Sequence, residues 1–410
     1  MSTVRLPDPS SGEGLISQAR PTAATGAQAS AGHRRIDHVD LLRGLVMVIM
    51  VLDHVRAYLS SAHFDPTDLT RTTPALFATR WITHFCAPTF VFLAGASGWI
   101  AGTRRERGEL SRFLLTRGLW LVVVELTLVT FGWYFTSRWT MGAVAQVIWV
   151  IGWSMVILAA LVHLPRTWVA VIGVAIVAGH NLLDGLAPED FGALEPVWRL
   201  LHVQGPLGVL PLLVVYPLVP WVGVMALGYA AGPFVFSEHP AARRRLAWAG
   251  LLLVAAFVLL RALDVYGDPH SRLVEGGTAT LVMSFLNLTK YPPSLLYLLM
   301  TLGPALMVLA FVTHARGRAA AVLVTFGRVP FLFYLTHIYL VHALAVLVGM
   351  LQGRGEAEMR VLSFSLPQQY GVGLVEVYLL WLGVVVALYP LCRRYASLKA
   401  RSRAWWLSYL

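Results

Sequence analysis

The sequence predicts an all-α fold, a polytopic membrane helix bundle of about ten transmembrane helices. Its 410 residues are 57% hydrophobic and 13% charged, with a mean hydropathy of +0.66, whereas soluble globular chains are about 45–50% apolar and about 25% charged. Ten apolar segments approach the roughly 20 residues that a helix needs to cross the hydrocarbon. Lys and Arg are concentrated in alternate connections between these segments, as the positive-inside rule describes.

The segments divide the chain into a membrane domain with a tail at each end. Residues 1–33 are rich in Ser, Ala, Gly, Thr and Pro without an apolar run, so we expect a disordered cytoplasmic tail. That tail lacks the apolar region of a cleaved signal peptide. A membrane domain is expected over 34–395, followed by a basic cytoplasmic tail over 396–410. The predicted spans are 39–59, 81–102, 113–135, 143–163, 166–186, 210–232, 245–263, 293–314, 329–349 and 372–392.

The basic residues orient this bundle. One set of connections, with the C-terminal tail, holds 17 Lys and Arg, and the alternate set holds 8 with most of the acidic loop residues. Both termini are therefore expected to be cytoplasmic, in the inner (plasma) membrane. The net charge of +11 then reflects topology and lipid contact and predicts no nucleic-acid partner. A homo-oligomer is compatible with the sequence. Cys86 and Cys392 fall toward opposite surfaces, so we expect neither a disulfide nor a metal site from them.

The first span contains the segment DLLRGLVMVIMVLDH, which runs from Asp40 to His54. Its helical spacing puts Asp40, Arg43, Met47, Met50 and His54 on one face. His54 follows Arg43 by 11 residues, a rise of about 16 Å. Ionisable groups inside a span cost roughly 2.5–3.5 kcal/mol each on insertion scales and usually face a cavity or the bundle interior. The stripe therefore predicts a polar path across the membrane.

Each ionisable group of this stripe also has a structural interpretation. Arg43 either snorkels to the inner headgroups, paired with Asp40, or lines a substrate path. His54 lies several residues before the expected helix end, which favours a functional role. Asp53 is turned about 100° away from His54 on the helix, so it either pairs with Arg56 or orients the imidazole.

Other polar residues are expected near the depth of His54. His84 lies toward the outer end of the second span and His337 near the middle of the ninth, and each is either part of the site or a buried histidine bonded to a neighbouring helix. Lys290, before the eighth span, either holds an anionic group at the outer mouth or snorkels at the interface. Glu125, midway along the third span, is costly unless paired or protonated, and we expect pairing with a membrane Arg or His.

The motifs VDLLRG and MVLDH in the first span and WITHFCAPTFVFLAGAS in the second resemble the bacterial membrane family related to the catalytic domain of heparan-alpha-glucosaminide N-acetyltransferase. The similarity continues in YPLVPWVGVMALGYAAG (216–232), KYPPSLLYLLMTLGPAL (290–306) and FGRVPFLFYLTHIYLVH (326–342), and it spans nearly the whole chain from residue 34 onward. The Arg-to-His spacing of 11 also resembles the larger group of transmembrane acyltransferases, in which these two residues belong to the acyl-transfer site.

This resemblance implies a ten- or eleven-helix enzyme that moves an acyl group from a cytoplasmic thioester to an outward-facing sugar hydroxyl or amine. It implies acetyl-CoA or another acyl-CoA as the donor, and no metal-binding motif appears in the sequence. By position, His54 corresponds to the first-span histidine of the acyltransferase group, whereas the lysosomal branch has its active histidine in the following loop, near His63. Both are candidates for the base or the acyl carrier. The candidate catalytic residues are His54, His63 and Asp53, and the candidate substrate- or donor-binding residues are Asp40, Arg43, His84, Lys290 and His337.

Acyl transfer from a thioester needs a base for the acceptor and donors that stabilise the developing oxyanion, and histidine suits the first task. The predicted function is an acetyl-CoA-dependent N- or O-acetyltransferase that acts on a carbohydrate or amine acceptor of the cell envelope. The alternative is a proton-coupled transporter or flippase for a small anionic or glycan-linked substrate, since buried His and Glu also serve transport. Stabilisation by acyl-CoA separates the two, because only the enzyme requires it.

Overall fold

Each of the ten predicted apolar segments forms a helix in the computed structural model, which describes residues 1–2, 24–139, 142–312 and 317–402. The first helix begins at Ala24, inside the segment expected to be the N-terminal tail, and residues 3–23 and 403–410 of the two tails lie outside the described residues. The helices are α1 Ala24–Leu59, α2 Pro74–Ile82, α3 Cys86–Gly102, α4 Arg107–Val124, α5 Thr130–Tyr134, α6 Val147–Leu161, α7 Arg166–Gly179, α8 Glu195–Leu201, α9 Val219–Val235, α10 Pro240–Leu263, α11 Thr278–Leu286, α12 Leu295–Phe311, α13 Arg318–Arg328, α14 Pro330–Leu351, α15 Glu356–Met359 and α16 Leu374–Arg401.

Within the described residues, six helical stretches are long and apolar enough to cross a membrane, and α6, α9 and α12 are apolar but shorter. Two of the six are composite. A short 3₁₀ turn joins α2 and α3 into Pro74–Gly102, and a π-helical turn, Glu125–Val129, joins α4 and α5 into Arg107–Tyr134. The all-α membrane bundle is confirmed in this coarse form, while ten spans and cytoplasmic termini stay predictions.

Large apolar side chains cover the outside of the bundle. Trp168 on α7, Trp248 and Leu252 on α10, and Val386 on α16 each expose more than half of their surface. A helix that is apolar on its outward face as well as its inward face is typical of a membrane span. The exposed faces of α7, α10 and α16 are therefore the lipid-contacting surface of the bundle.

A small sheet interrupts the helices where the sequence predicted the starts of two spans. Strands β1 (Ala143–Ala145), β2 (Gly205–Pro206) and β3 (Leu212–Val214) form it in the order β1-β3-β2, with β1 parallel and β2 antiparallel to β3. The predicted helix starts at 143 and 210 are wrong for this reason. Pro211 and Pro217 lack the backbone N–H that a helix interior uses, so α9 begins only at Val219, with Pro220 in its first turn.

The helix α13 was predicted to be part of a connection, and it instead packs along α1. Gly44 of α1 and Gly327 of α13 permit the close approach. A Cβ on Gly44 would lie 1.9 Å from the Leu323 carbonyl oxygen, and one on Gly327 would lie 1.8 Å from the Asp40 carbonyl oxygen. The helix α1 also contacts α3, α14 and α16, so it is the buried axis of this part of the bundle.

Candidate active site

The polar stripe of α1 lines two adjoining cavities. Arg43 and Met47 line the larger one, of about 330 Å³. Met50 and His54 line the smaller one, of about 30 Å³. Four of the five residues of the stripe therefore line cavities, whereas Asp40 lines neither of these two.

His54 is held by a histidine from another helix. Its Nδ1 lies 2.6 Å from Nε2 of His337 on α14, and the two rings are nearly parallel with centroids 4.9 Å apart. The edge of Trp133 packs against His54 at 5.0 Å between ring centroids. His337 is fully buried and bonded to a histidine of another helix.

The hydrogen bonds of this pair determine which nitrogen of His54 can accept a proton. Nδ1 of His337 lies 3.1 Å from the Phe333 carbonyl oxygen, which can only accept, so Nδ1 carries the hydrogen. In the neutral ring, Nε2 of His337 is then an acceptor, and Nδ1 of His54 must donate to it. The lone pair of His54 is left on Nε2, for which the described residues supply no hydrogen-bond partner. A nitrogen of this kind can act as a base or a nucleophile.

Asp53 does not contact the imidazole beside it. Its Oδ1 accepts from Arg56 at 3.0 Å and its Oδ2 from Arg80 at 2.7 Å. Both oxygens are thus occupied by guanidinium groups, and the interpretation that Asp53 pairs with Arg56 is confirmed. Arg80, which closes the other side of this cluster, was not anticipated because it comes from α2.

The smaller cavity brings further polar groups to His54. Lys290, Tyr216 and Tyr334 line it together with His54 and Asp53. The Lys290 ammonium also lies 5.1 Å from the centre of the Tyr291 ring, a distance at which cation–π attraction operates. Lys290 therefore lines the site from the connection between α11 and α12.

Arg43 anchors the larger cavity. Its Nη1 donates to Asp40 Oδ1 at 2.8 Å and to the Gly327 carbonyl at 3.1 Å, and its Nη2 donates to Ser97 Oγ at 3.2 Å. The expected Asp40–Arg43 pair is present, and it faces protein rather than only headgroups. This network ties α1, α3 and α13 together at one end of the cavity.

The larger cavity has a strongly cationic lining. Arg43, Arg117, Arg328 and Lys399 contribute from α1, α4, α13 and α16, and no acidic side chain of the described residues lines it. The walls between these cations are mostly apolar. Such a cavity suits an anionic ligand with an apolar portion.

Two predicted site residues lie elsewhere. The ring nitrogen Nε2 of His63 lies 2.7 Å from the Tyr370 carbonyl oxygen in the loop that precedes α16, and His63 lines neither cavity. His84 is buried against Tyr297, with ring centroids 5.3 Å apart, and it also lines neither cavity. Of the two candidate histidines, only His54 opens into the cavities.

Glu125 corrects another expectation. Its Oε2 accepts from the backbone N–H groups of Ile148 at 3.0 Å and Trp149 at 3.3 Å. The first turn of α6 therefore takes the place of the Arg or His partner that was expected, because the unpaired N–H groups and the dipole of a helix N-terminus attract a carboxylate. In the described residues, no group of three or more His, Cys, Asp or Glu side chains clusters as a metal site.

Sequence reasoning missed Tyr334 and the three cations other than Arg43. Tyr334 precedes His337 by three residues and so shares its helix face, a signal that was available. The other three cations, Arg117, Arg328 and Lys399, come from three different helices. No local sequence pattern predicts that these helices pack around one cavity.

Comparison with known protein families finds a match. The profile of the family described as "Heparan-alpha-glucosaminide N-acetyltransferase, catalytic" matches residues 35–266, more than half of the chain. The match includes Arg43, His54 and His63 and ends before Lys290 and His337. No curated protein matches this sequence.

Proposed function

We propose, from the premise that this chain belongs to the heparan-alpha-glucosaminide N-acetyltransferase catalytic family, that it is an integral membrane acyltransferase. It moves an acetyl group from acetyl-CoA at the cytoplasmic side to a carbohydrate or amine acceptor of the cell envelope. The observation that carries this proposal is the pair of joined cavities. Phe90, Val147 and Tyr334 line both of them, so the cationic cavity adjoins the one that His54 lines.

The cationic cavity fits the donor. Coenzyme A carries phosphates at one end and a slender apolar arm with the thioester at the other. Arg43, Arg117, Arg328 and Lys399 would hold the phosphates, since guanidinium and ammonium groups bind phosphate through charge-assisted hydrogen bonds. The Arg43 end of α1 is the end that the basic connections assign to the cytoplasm.

His54 is then the base. Acceptor hydroxyl or amine attacks the carbonyl carbon of the thioester, and its proton passes to Nε2 of His54. His337 keeps the other nitrogen of His54 protonated by accepting from it. Collapse of the tetrahedral intermediate breaks the carbon–sulfur bond, and the leaving thiolate takes the proton from His54, so that acetylated acceptor and free CoA result.

Lys290 lines the small cavity with His54 and does not line the cationic cavity. It follows the outer loops in the predicted topology, and it lines the small cavity beside Asp53. Because both oxygens of Asp53 are occupied by Arg56 and Arg80, Lys290 is available to meet an acceptor that enters from outside.

Thermal unfolding of the detergent-purified protein with acetyl-CoA and with CoA tests the proposal. Wild type, His54→Ala and the exposed-site control His163→Ala should all be stabilised, by about 2.7 kcal/mol at 100 times the dissociation constant. Transfer of radiolabelled acetyl groups to envelope material in membrane vesicles should fall by about 10²–10⁴-fold in His54→Ala only. Absence of both stabilisation and transfer in folded wild type would overturn the proposal and favour the transporter.

The same preparation separates a base from an acyl carrier. If His54 carries the acetyl group, acetyl-CoA and His54 form acetyl-His54 and free CoA in the absence of acceptor, and CoA can take the acetyl group back. Labelled CoA would therefore be incorporated into acetyl-CoA. Direct transfer predicts no such exchange. Exchange in wild type that disappears in His54→Ala would assign the acyl-carrier role to His54.

A further inference from the structure

We infer that the Tyr334 hydroxyl is the donor that stabilises the oxyanion formed from the thioester carbonyl. The inference rests on the proposed function, and it adds a catalytic residue outside the segment that the family profile matches. A thioester under attack places negative charge on its carbonyl oxygen, and a fixed donor at that point is commonly the largest electrostatic contribution to rate.

Tyr334 lies where the two cavities meet. The residues that line both cavities are Phe90, Val147 and Tyr334, so the thioester of a donor held in the larger cavity meets these three as it reaches His54. Phe90 and Val147 offer only carbon atoms. Tyr334 therefore supplies the one side-chain hydroxyl that the described residues place at the junction.

The Tyr334 hydroxyl is also unused. Its side chain is buried, with 4% exposure, yet the hydroxyl makes no hydrogen bond within the described residues. Trp133 is its neighbour, but an indole N–H can only donate, so this contact engages the hydroxyl oxygen and leaves the hydroxyl hydrogen of Tyr334 without an acceptor among the described residues. Buried polar groups are nearly always paired, and an orphan at a cavity wall is explained by a ligand atom that completes it.

The ring that carries this hydroxyl is fixed next to the base. Tyr334 and His337 are on one face of α14, with ring centroids 5.5 Å apart in an edge-to-face contact. His337 in turn contacts His54. His54, through His337, and the Tyr334 hydroxyl are thus both positioned by α14. This arrangement fixes the position of the hydroxyl relative to the base during the reaction.

In the proposed step, a lone pair of the acceptor oxygen or nitrogen forms a bond to the carbonyl carbon. The carbonyl π electrons move to the oxygen, which accepts a hydrogen bond from Tyr334 and takes no proton from it. Nε2 of His54 receives the acceptor proton. When the carbonyl reforms, the carbon–sulfur bond breaks, and that proton goes to the CoA sulfur.

The test compares Tyr334→Phe with Tyr339→Phe on the same helix, whose hydroxyl donates to the Leu128 carbonyl at 2.8 Å. Tyr334→Phe should bind acetyl-CoA as wild type does and transfer acetyl groups roughly 100–1000-fold more slowly at saturating donor. Its unfolding temperature should equal or exceed that of wild type, because it loses only an unpaired hydroxyl. Tyr339→Phe should show the opposite pattern, with a lower unfolding temperature and transfer within a few-fold of wild type.

Infrared spectra of isotope-labelled acetyl-CoA give a readout that needs no acceptor. The carbonyl band should shift to lower frequency on binding to wild type and to Tyr339→Phe, and this shift should be lost in Tyr334→Phe. Wild-type transfer rates in Tyr334→Phe, or a fall in its unfolding temperature as large as that of Tyr339→Phe, would overturn the inference and assign the hydroxyl a structural bond. A wild type that binds no acetyl-CoA would instead overturn the proposed function itself.

Discussion

Nδ1 of His54 lies 2.6 Å from Nε2 of His337, a contact between residues 283 positions apart in the chain. The Phe333 carbonyl fixes the proton of His337, and His337 fixes that of His54 by accepting from it. The tautomer of His54, the proposed base on α1, is therefore set by α14.

Replacement of His337 separates this positioning role from packing. His337→Leu replaces the imidazole with an apolar side chain of similar size, which cannot accept a hydrogen bond from His54. Acetyl transfer should therefore fall about 10²-fold or more, while acetyl-CoA binding persists. His337→Gln, whose amide oxygen can accept from Nδ1, should recover part of that loss. Nitrogen NMR of labelled histidine should show the Nδ1-protonated form of His54 in wild type and its loss in His337→Leu. Equal activity in the two variants would contradict the positioning role.

Arg117 and Arg112 lie on the same helix, and only Arg117 lines the cationic cavity. Arg117→Ala should weaken acetyl-CoA and CoA equally, by about 10-fold or 1.4 kcal/mol, because both ligands carry the same phosphates. Arg112, which is exposed, should tolerate Ala without change. Isothermal titration or a thermal-shift series gives both dissociation constants. A loss confined to acetyl-CoA would place Arg117 near the thioester instead of the phosphates.

We expect Asp53 to stabilise the fold and to take no part in acetyl transfer. Asp53→Asn leaves Arg56 and Arg80 facing each other without the carboxylate that bridges them, and removal of one partner from a buried ion cluster costs about 3 kcal/mol. The loop control Asp68→Asn, at a residue without an ion-pair partner among the described residues, keeps the Oδ1 that accepts from Thr70 and should change the free energy of unfolding by less than about 1 kcal/mol. Unfolding in detergent measures both. A stable Asp53→Asn protein that has lost transfer would return Asp53 to the catalytic candidates.

The crossing of α1 and α13 depends on glycine. A Cβ at residue 327 would lie 1.8 Å from the Asp40 carbonyl oxygen, so Gly327→Ala should force the helices apart and cost about 1–3 kcal/mol of stability. Gly383→Ala on α16 meets nothing within 4 Å and should be neutral or stabilising by up to about 1 kcal/mol. Unfolding temperatures of the two variants, measured side by side, check this. Equal values would show that the two helices can separate without penalty.

The helices were predictable because each is encoded by a long apolar segment of the sequence. In α7, α10 and α16 the lipid-facing residues are apolar as well as the buried ones. The prediction failed where length and hydropathy mislead. Residues 318–328 are too polar for a span, yet they form α13, which is stabilised by its contact with α1. Hydropathy alone predicted that a helix begins at residue 210, but because of the prolines before it, α9 begins at Val219.

The site was predictable along α1 and much less so between helices. Helical spacing placed Arg43 and His54 on one face, and the 100° turn correctly separated Asp53 from His54. Spacing says nothing of partners from distant segments, so the His54–His337 contact and the cationic cavity were not foreseen. Glu125 was assigned a side-chain partner because backbone N–H groups at the start of another helix leave no mark in a sequence.

Arg43 and His54 lie 11 residues apart on the continuous helix α1. In the proposed function, the residue that binds phosphate and the residue that acts on the acyl group are therefore separated by about 16 Å of helical rise. Acetyl phosphate, which joins its acyl group directly to phosphorus, cannot touch both residues at once. The protein would then select its acyl donor by the distance between the donor's phosphates and its acyl group. A donor as long as acetyl-CoA would reach both residues, and a shorter one would bind at Arg43 without reacting at His54.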